Sequence, residues 1–213
     1  MKTILKERRI KRLFHFTQAT NLSNIIKNGL LPRNELKKYG IRSDINDEYR
    51  YDECLDAICT SIEFPNYKMF YKLRKENPDN DWAVIELDAQ VLCDFQCAYC
   101  WTNAGDAVMY TTPVEQRRSK GVFLDLFEDI PDYLKIGRHQ DCPRREELHI
   151  PDRYPTNPQA EVLVFGVIPI EYIRAVYFEN IRLMKKYIDD IPNDINVECN
   201  REFFNCRRDY KFW

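Results

Sequence analysis

Strand-like and helix-like runs follow one another along this chain without the strict alternation of a parallel α/β layout. That order constrains the fold more than any single motif does. RLFHFT is a short strand, DAICTSI (56–62) and WAVIELD (82–88) are strands, AEVLVFGVIP (160–169) is a buried strand, and YIRAVYFEN (172–180) and the tail NCRRDYKFW are predicted as two more. NLSNIIKNGLL is an amphipathic helix, because Leu22, Ile25, Ile26 and Leu30 recur at helical spacing and Gly29 supplies a stop. PNYKMFYKLRK, VFLDLFEDI (122–130) and IRLMKKYIDDI are predicted helices. Residues 32–56 are polar and aperiodic and are expected to form a loop. HIPDRYPTNPQ (149–159) carries three prolines and is expected to be extended. No repeat, low-complexity tract or Gly/Ser linker divides the chain. The expectation is one α+β domain over residues 1–213 with a mixed or largely antiparallel sheet.

Composition excludes several classes. Only six glycines occur, with no G-x-G-x-x-G and no G-x-x-x-x-G-K-[ST], which argues against a glycine-loop nucleotide fold. MKTILKERRIKRLF has no apolar run long enough for a signal peptide, and no stretch approaches the roughly 18–20 apolar residues of a membrane span. A cytoplasmic protein without membrane association is expected. A net charge of −2 gives no global attraction to nucleic acid, but KMFYKLRK (68–75) and RRSK (117–120) are basic clusters near aromatics, as a single-strand groove requires.

Cysteines pose a separate question. With no leader, the eight cysteines are expected to be reduced thiols. Cys93, Cys97 and Cys100 form C-x3-C-x2-C, the spacing that holds an iron–sulfur cluster in radical-SAM enzymes. Only 113 residues follow Cys100, however, and they lack the βα alternation of that barrel. A zinc site would need His139 or Cys142 as a fourth ligand, and a second C-x2-C is missing. The favoured reading is buried or half-buried thiols beside Trp101, with no metal.

Three separated pieces carry candidate chemistry. In FHFT, period two sets His15 and Thr17 on one face and Phe14 and Phe16 on the other. In NDEYRYDE (46–53), Arg50 stands just upstream of a strand, and Tyr67, Phe70 and Tyr71 on the following helix share i, i+3, i+4 spacing. In QAEVLVF, Glu161 opens an apolar strand, a costly place for a carboxylate unless it is at the surface or has a task.

Taken in order, HFT, NL..II..GLL, the strand leading into FPNYKMF and the QAE before an apolar strand resemble the DarT family of DNA ADP-ribosyltransferase toxins, found in toxin–antitoxin and phage-defence systems. The resemblance runs from about residue 12 to about residue 212. TNAG (102–105) resembles a T-D-x-[NH]-A stretch of that family. The chain departs where many members carry VPFYF-T-P-x-SPM and this one has ICTSIEFPNYKMF, so it resembles a divergent subgroup whose base preference is open.

The resemblance implies an ADP-ribosyltransferase-like fold with split sheets and flanking helices, and NAD+ as co-substrate in a cleft between them. Glu161 and Arg50 are the implied catalytic residues, with Arg42 competing for the arginine role. His15, Thr17, Asn21, Gly29, Arg42, Tyr67 and Phe70 are implied at the NAD+ site. Lys68, Tyr71, Lys72, Arg74, Arg117 and Arg118 are implied as contacts to single-stranded DNA. A macrodomain antitoxin is the implied partner. Two other readings stay open: a protein-directed ADP-ribosyltransferase, and a zinc-stabilised nucleic-acid-binding module.

Overall fold

The fold is described from a computed structural model, over residues 1–45, 50–135 and 137–213. The first half of NDEYRYDE, residues 46–49, therefore lies outside the described residues. Among the described residues no helix is long and apolar enough to cross a membrane.

Seven strands form the sheet: β1 (Arg12–Gln18), β2 (Ala57–Ile62), β3 (Trp82–Asp88), β4 (Cys97–Cys100), β5 (Glu161–Phe165), β6 (Ile173–Phe178) and β7 (Asn196–Cys199), in the order β4-β5-β2-β1-β3-β6-β7. All pairings are antiparallel except β6–β7. The helices are α1 (Lys2–Arg8), α2 (Leu22–Asn28), α3 (Arg33–Lys38), α4 (Tyr67–Glu76), α5 (Val91–Asp94), α6 (Ala107–Tyr110), α7 (Lys120–Asp125), α8 (Arg145–Leu148) and α9 (Ile181–Tyr187).

The sheet is two half-sheets joined at a narrow seam. β1 and β3 pair along seven residues, whereas β1 and β2 pair at Leu13–Ile62 and Phe14–Ser61, with one further backbone bond from the Glu63 N–H to the Arg12 carbonyl. Both faces of the larger half are covered, so β3 is apolar nearly throughout. Trp82 and Val84 enter an aromatic cluster with Phe14, Phe70, Tyr177, Phe203 and Phe204, while Ala83, Ile85 and Leu87 face the main core. α4 closes the aromatic side: Phe70 stacks on Phe16 at 4.6 Å and meets Trp82 edge-on at 5.6 Å. Burial of such a ring contributes on the order of 2–3 kcal/mol.

Several expectations change. The helix expected over 122–130 ends at Asp125, as α7. Residues 33–38 of the predicted loop form α3. The strand from Glu161 stops at Phe165, because Gly166 turns away with φ of 92°. The tail is not a strand: Asn196–Cys199 takes that place, and residues 201–204 and 210–212 coil into short 3₁₀ turns instead. The reason is visible in the tail's own chemistry. Arg207 and Asp209 form a buried ion pair, and Arg207 also donates to the Pro155 and Thr156 carbonyls, which pulls the chain into a turn.

Candidate active site

Beyond Phe14 the strands β1 and β2 part, and a cavity opens between the half-sheets. His15 and Thr17 from β1, Cys59 and Ser61 from β2, Arg50 and Glu161 all line it. Parting leaves the Cys59 carbonyl without a strand partner, and His15 Nδ1 lies 2.9 Å from it. A carbonyl only accepts, so Nδ1 carries the proton and Nε2 is left as an acceptor. Burial, with the Arg50 cation nearby, pushes the His15 pKa down and keeps the ring neutral.

Glu161 is 4% exposed, and its carboxylate is held from three sides. Oε1 accepts from Asn66 Nδ2 at 3.0 Å and Asn103 Nδ2 at 3.1 Å; Oε2 accepts from the Ala104 N–H at 2.9 Å. Burial raises its pKa to about 7, and the bonds from Ala104 and Asn66 work against that rise. Asn66 also caps α4 by accepting from the Met69 N–H, so one side chain starts the helix and orients the carboxylate.

Arg50 is clamped as firmly. Nε and Nη2 each lie 2.7 Å from Asp52, and the guanidinium also donates to the carbonyls of Cys54 and Ala57. Four of its five donors are thereby engaged among the described residues, and its pKa lies above the ordinary value, so it is a fixed cation and not a proton acceptor. Thr17 accepts from Asn21 Nδ2 at 2.9 Å, and Asn21 Oδ1 takes Ser43 Oγ and the Asp44 N–H, pinning the 43–44 segment beside β1.

A family model with the description "ssDNA thymidine ADP-ribosyltransferase, DarT" matches residues 14–205. The chain belongs to the DarT family. Solved DarT structures share its fold. A Thermosipho africanus DarTG in complex with ADP-ribose superposes with a TM-score of 0.63 at 17% identity, over 91% of this chain and 51% of that one. The chain thus spans about half the length of that DarTG. A Thermus sp. 2.9 DarT in complex with carba-NAD+ gives 0.60 at 14% identity, covering 91% and 97%. The same protein in complex with ADP-ribosylated ssDNA gives 0.57 at 13%, covering 92% and 97%. Comparison with curated proteins found no match.

The DarT fold brings some of the sequence candidates together and disperses others. Glu161, Arg50, His15, Thr17 and Asn21 line one cavity. Arg42 is exposed in an adjoining recess that shares the 43–45 wall. Gly29 does not line the cavity: it ends α2 with φ of 78°, and a Cβ there would sit 2.5 Å from the Ile168 carbonyl oxygen, so its place is a close backbone crossing. Phe70 is fully buried in the aromatic cluster, and Tyr67 packs against that cluster near Arg207 and Asp209. Neither lines the cavity. Tyr71 is 60% exposed, so the expected shared face of Tyr67, Phe70 and Tyr71 does not exist.

The DNA candidates separate similarly. Arg74 bonds the Phe204 carbonyl and Glu179 and lies over the Phe70 and Phe204 rings, a structural duty. Arg117 is buried and donates to Cys100 Sγ at 3.0 Å, so it does not face solvent phosphates. Lys68 is half-buried, while Lys72 and Arg118 are exposed. Lys72 makes a long 3.9 Å pair with Glu76, and Arg118 lies over the Phe165 ring.

The cysteines do not converge. Cys97 and Cys100 are an odd number of residues apart on β4, and the first joins the main core while the second joins the cluster behind β5. His139 is engaged elsewhere, with Nε2 2.9 Å from Asp106 Oδ2. Among the described residues no group of three potential ligands is placed to hold a metal.

Sequence reasoning missed Asn66, Asp52 and the role of Asn103 and Ala104. For the last two a clue existed in TNAG; for Asn66 it was the Asn ahead of a helical run.

Proposed function

We propose that this DarT-family chain, acting as one domain, transfers ADP-ribose from NAD+ to thymidine in single-stranded DNA. The observation that carries the proposal is Glu161, a buried carboxylate held by three donors on the wall of an open cavity. A carboxylate offers about four acceptor sites, so three held bonds leave one, on Oε2, to face the reacting groups.

As the bond from C1″ to the nicotinamide nitrogen breaks, its electron pair leaves with nicotinamide and positive charge builds on the ribose. A fixed anion beside that ribose stabilises this charge, as carboxylates do at glycosidic bonds. In thymidine N1 is bonded to the sugar, so N3 is the only ring nitrogen bearing a proton. N3 bonds to C1″ and its proton passes to Glu161, whose pKa of about 7 suits an acceptor near neutral pH. Arg50 supplies a fixed positive charge for the pyrophosphate or for the carbonyl oxygens of the deprotonating base. His15 and Thr17 hold the nicotinamide end, and Lys72 and Arg118 are the basic candidates still exposed for backbone phosphates. A base inside a duplex is inaccessible to this attack unless flipped. A macrodomain antitoxin that removes the modification, and a cytoplasmic site of action, complete the reading.

The test is mass spectrometry of thymidine-containing oligonucleotides incubated with protein and NAD+. The expected result is an ADP-ribosyl adduct on thymine, formed much faster on single strand than on duplex and absent with Glu161→Ala. Labelling of protein in place of DNA overturns the proposal.

A further inference from the structure

Transfer to a ring nitrogen requires the acceptor base to be held still at the cavity mouth. The aromatics of α4 do not offer that surface, since Phe70 is sealed in the core and Tyr71 is not in the cavity lining.

Tyr51 is placed differently. It follows the clamped Arg50, lines the cavity, and is 62% exposed. A Cβ at Gly105 would lie 3.6 Å from Tyr51 Cβ and 3.8 Å from its Cδ2, so the side chain lies beside the loop one residue after Ala104. The Ala104 N–H in turn holds Glu161 Oε2. A single exposed tyrosine needs no explanation. An exposed ring seated on the loop that holds the buried carboxylate, beside the fixed cation of the same cavity, is a different matter. Ile45, 48% exposed, lines the same cavity and adds a second apolar rim residue.

From this placement we infer that Tyr51 is the stacking platform for the acceptor base, a determinant of DNA recognition and not of NAD+ binding. The inference rests on reading the cavity as the transferase site. A base of any sequence has a π-face, so such a platform sets the grip on the strand, while the groups around Glu161 select the nitrogen. Gly105 suits this arrangement, because a Cβ there would crowd the Asn103 Oδ1 atom, 3.2 Å away, while meeting Tyr51 at ordinary contact distance.

The experiment compares wild type with Tyr51→Phe, Tyr51→Leu and Tyr51→Ala. Three quantities are read: KM for a thymidine-containing single strand, nicotinamide release from saturating NAD+ without DNA, and melting temperature. Tyr51→Phe is expected to match wild type. Leu and Ala are expected to raise the oligonucleotide KM about 5- to 150-fold, the range given by loss of one base–aromatic stack. DNA-independent nicotinamide release and melting temperature stay unchanged. Tyr51→Leu with a wild-type KM overturns the inference, since apolar bulk without a π-face would then suffice. Parallel loss of NAD+ turnover in Tyr51→Ala overturns it too. Wild-type labelling of DNA with an unchanged KM in Tyr51→Ala sinks this inference alone. A wild type that turns over NAD+ yet leaves the oligonucleotide unmodified sinks the DNA-directed reading and this inference with it.

Discussion

Replacing Glu161 with glutamine removes a charge that the fold holds at some expense, and the size of that expense follows from the site. The carboxyl titrates at about 7 in the folded chain, against an ordinary value of 4.5, with burial as the main cause. The folded state therefore binds this proton more tightly than the unfolded state does. As pH rises from 4.5 through 7, wild type loses stability relative to Glu161→Gln, and above 7 the difference levels off. At about 1.36 kcal/mol for each of the roughly 2.5 units between those values, the swing is roughly 3 kcal/mol. The amide keeps one acceptor oxygen, so its NH2 must face either the Ala104 N–H or the Asn66 and Asn103 donors, and the variant carries a penalty of its own. That penalty is independent of pH, so it offsets the difference between the two unfolding free energies by a constant and leaves its change with pH untouched. The assay is urea unfolding of both proteins at half-unit steps from pH 4.5 to 8.5. A difference that stays flat within about 0.5 kcal/mol would refute the argument, because Glu161 would then be no more costly to ionise than an exposed carboxylate. Transfer by wild type should rise about tenfold per pH unit below 7 and level off above it.

Asn66→Ala should lose about 1 kcal/mol through the missing helix cap, and the midpoint of the pH–rate profile should move upward because a bond that favours the ionised carboxylate is gone; a lower midpoint would contradict this. Phe70→Ala should cost about 3–5 kcal/mol in denaturant unfolding, as a core cavity does, and a variant that melts like wild type but binds NAD+ poorly would return Phe70 to the ligand site. Gly29→Ala should lower the melting temperature through both its left-handed φ and the Ile168 carbonyl, and an unchanged value would show that the crossing is loose. Replacing Cys93, Cys97 and Cys100 together should cost on the order of 1–3 kcal/mol without altering transfer, and stoichiometric zinc or iron by elemental analysis of the wild type would count against the packing role.

Legibility in the sequence depended on whether a feature was local. The strand alternation in FHFT is a property of neighbouring residues, so the face shared by His15 and Thr17 could be read directly. Glu161 stood out because a carboxylate opening an apolar strand is costly anywhere. The aromatic spacing of α4 was equally visible, but spacing does not say which side of a helix meets a core. Burial of Phe70 beneath Phe16, Trp82 and Phe204 is decided by segments far away in the chain. Arg117 and Arg74 misled for the same reason: a basic cluster reads as solvated until a sulfur, a carbonyl or an aromatic ring from another element is found against it. The tail failed as a strand because its two decisive residues, Arg207 and Asp209, act through a buried pair that no pattern of hydrophobicity reports.

The seam between β1 and β2 has a mechanical consequence. Two residue pairs act as a rivet between two plates, and Thr17 lies three residues past it, about 10 Å away at the rise of a strand. A relative rotation of only about 5° then changes the gap at Thr17 by about 1 Å, a misplacement of the order that costs 10²-fold in rate. The gauge of the cleft is therefore set by its braces: the bond from His15 to the Cys59 carbonyl, the Asn66–Glu161 bond and the Leu30–Ile168 bridge. Substitutions at those few positions are expected to change turnover while leaving each plate intact.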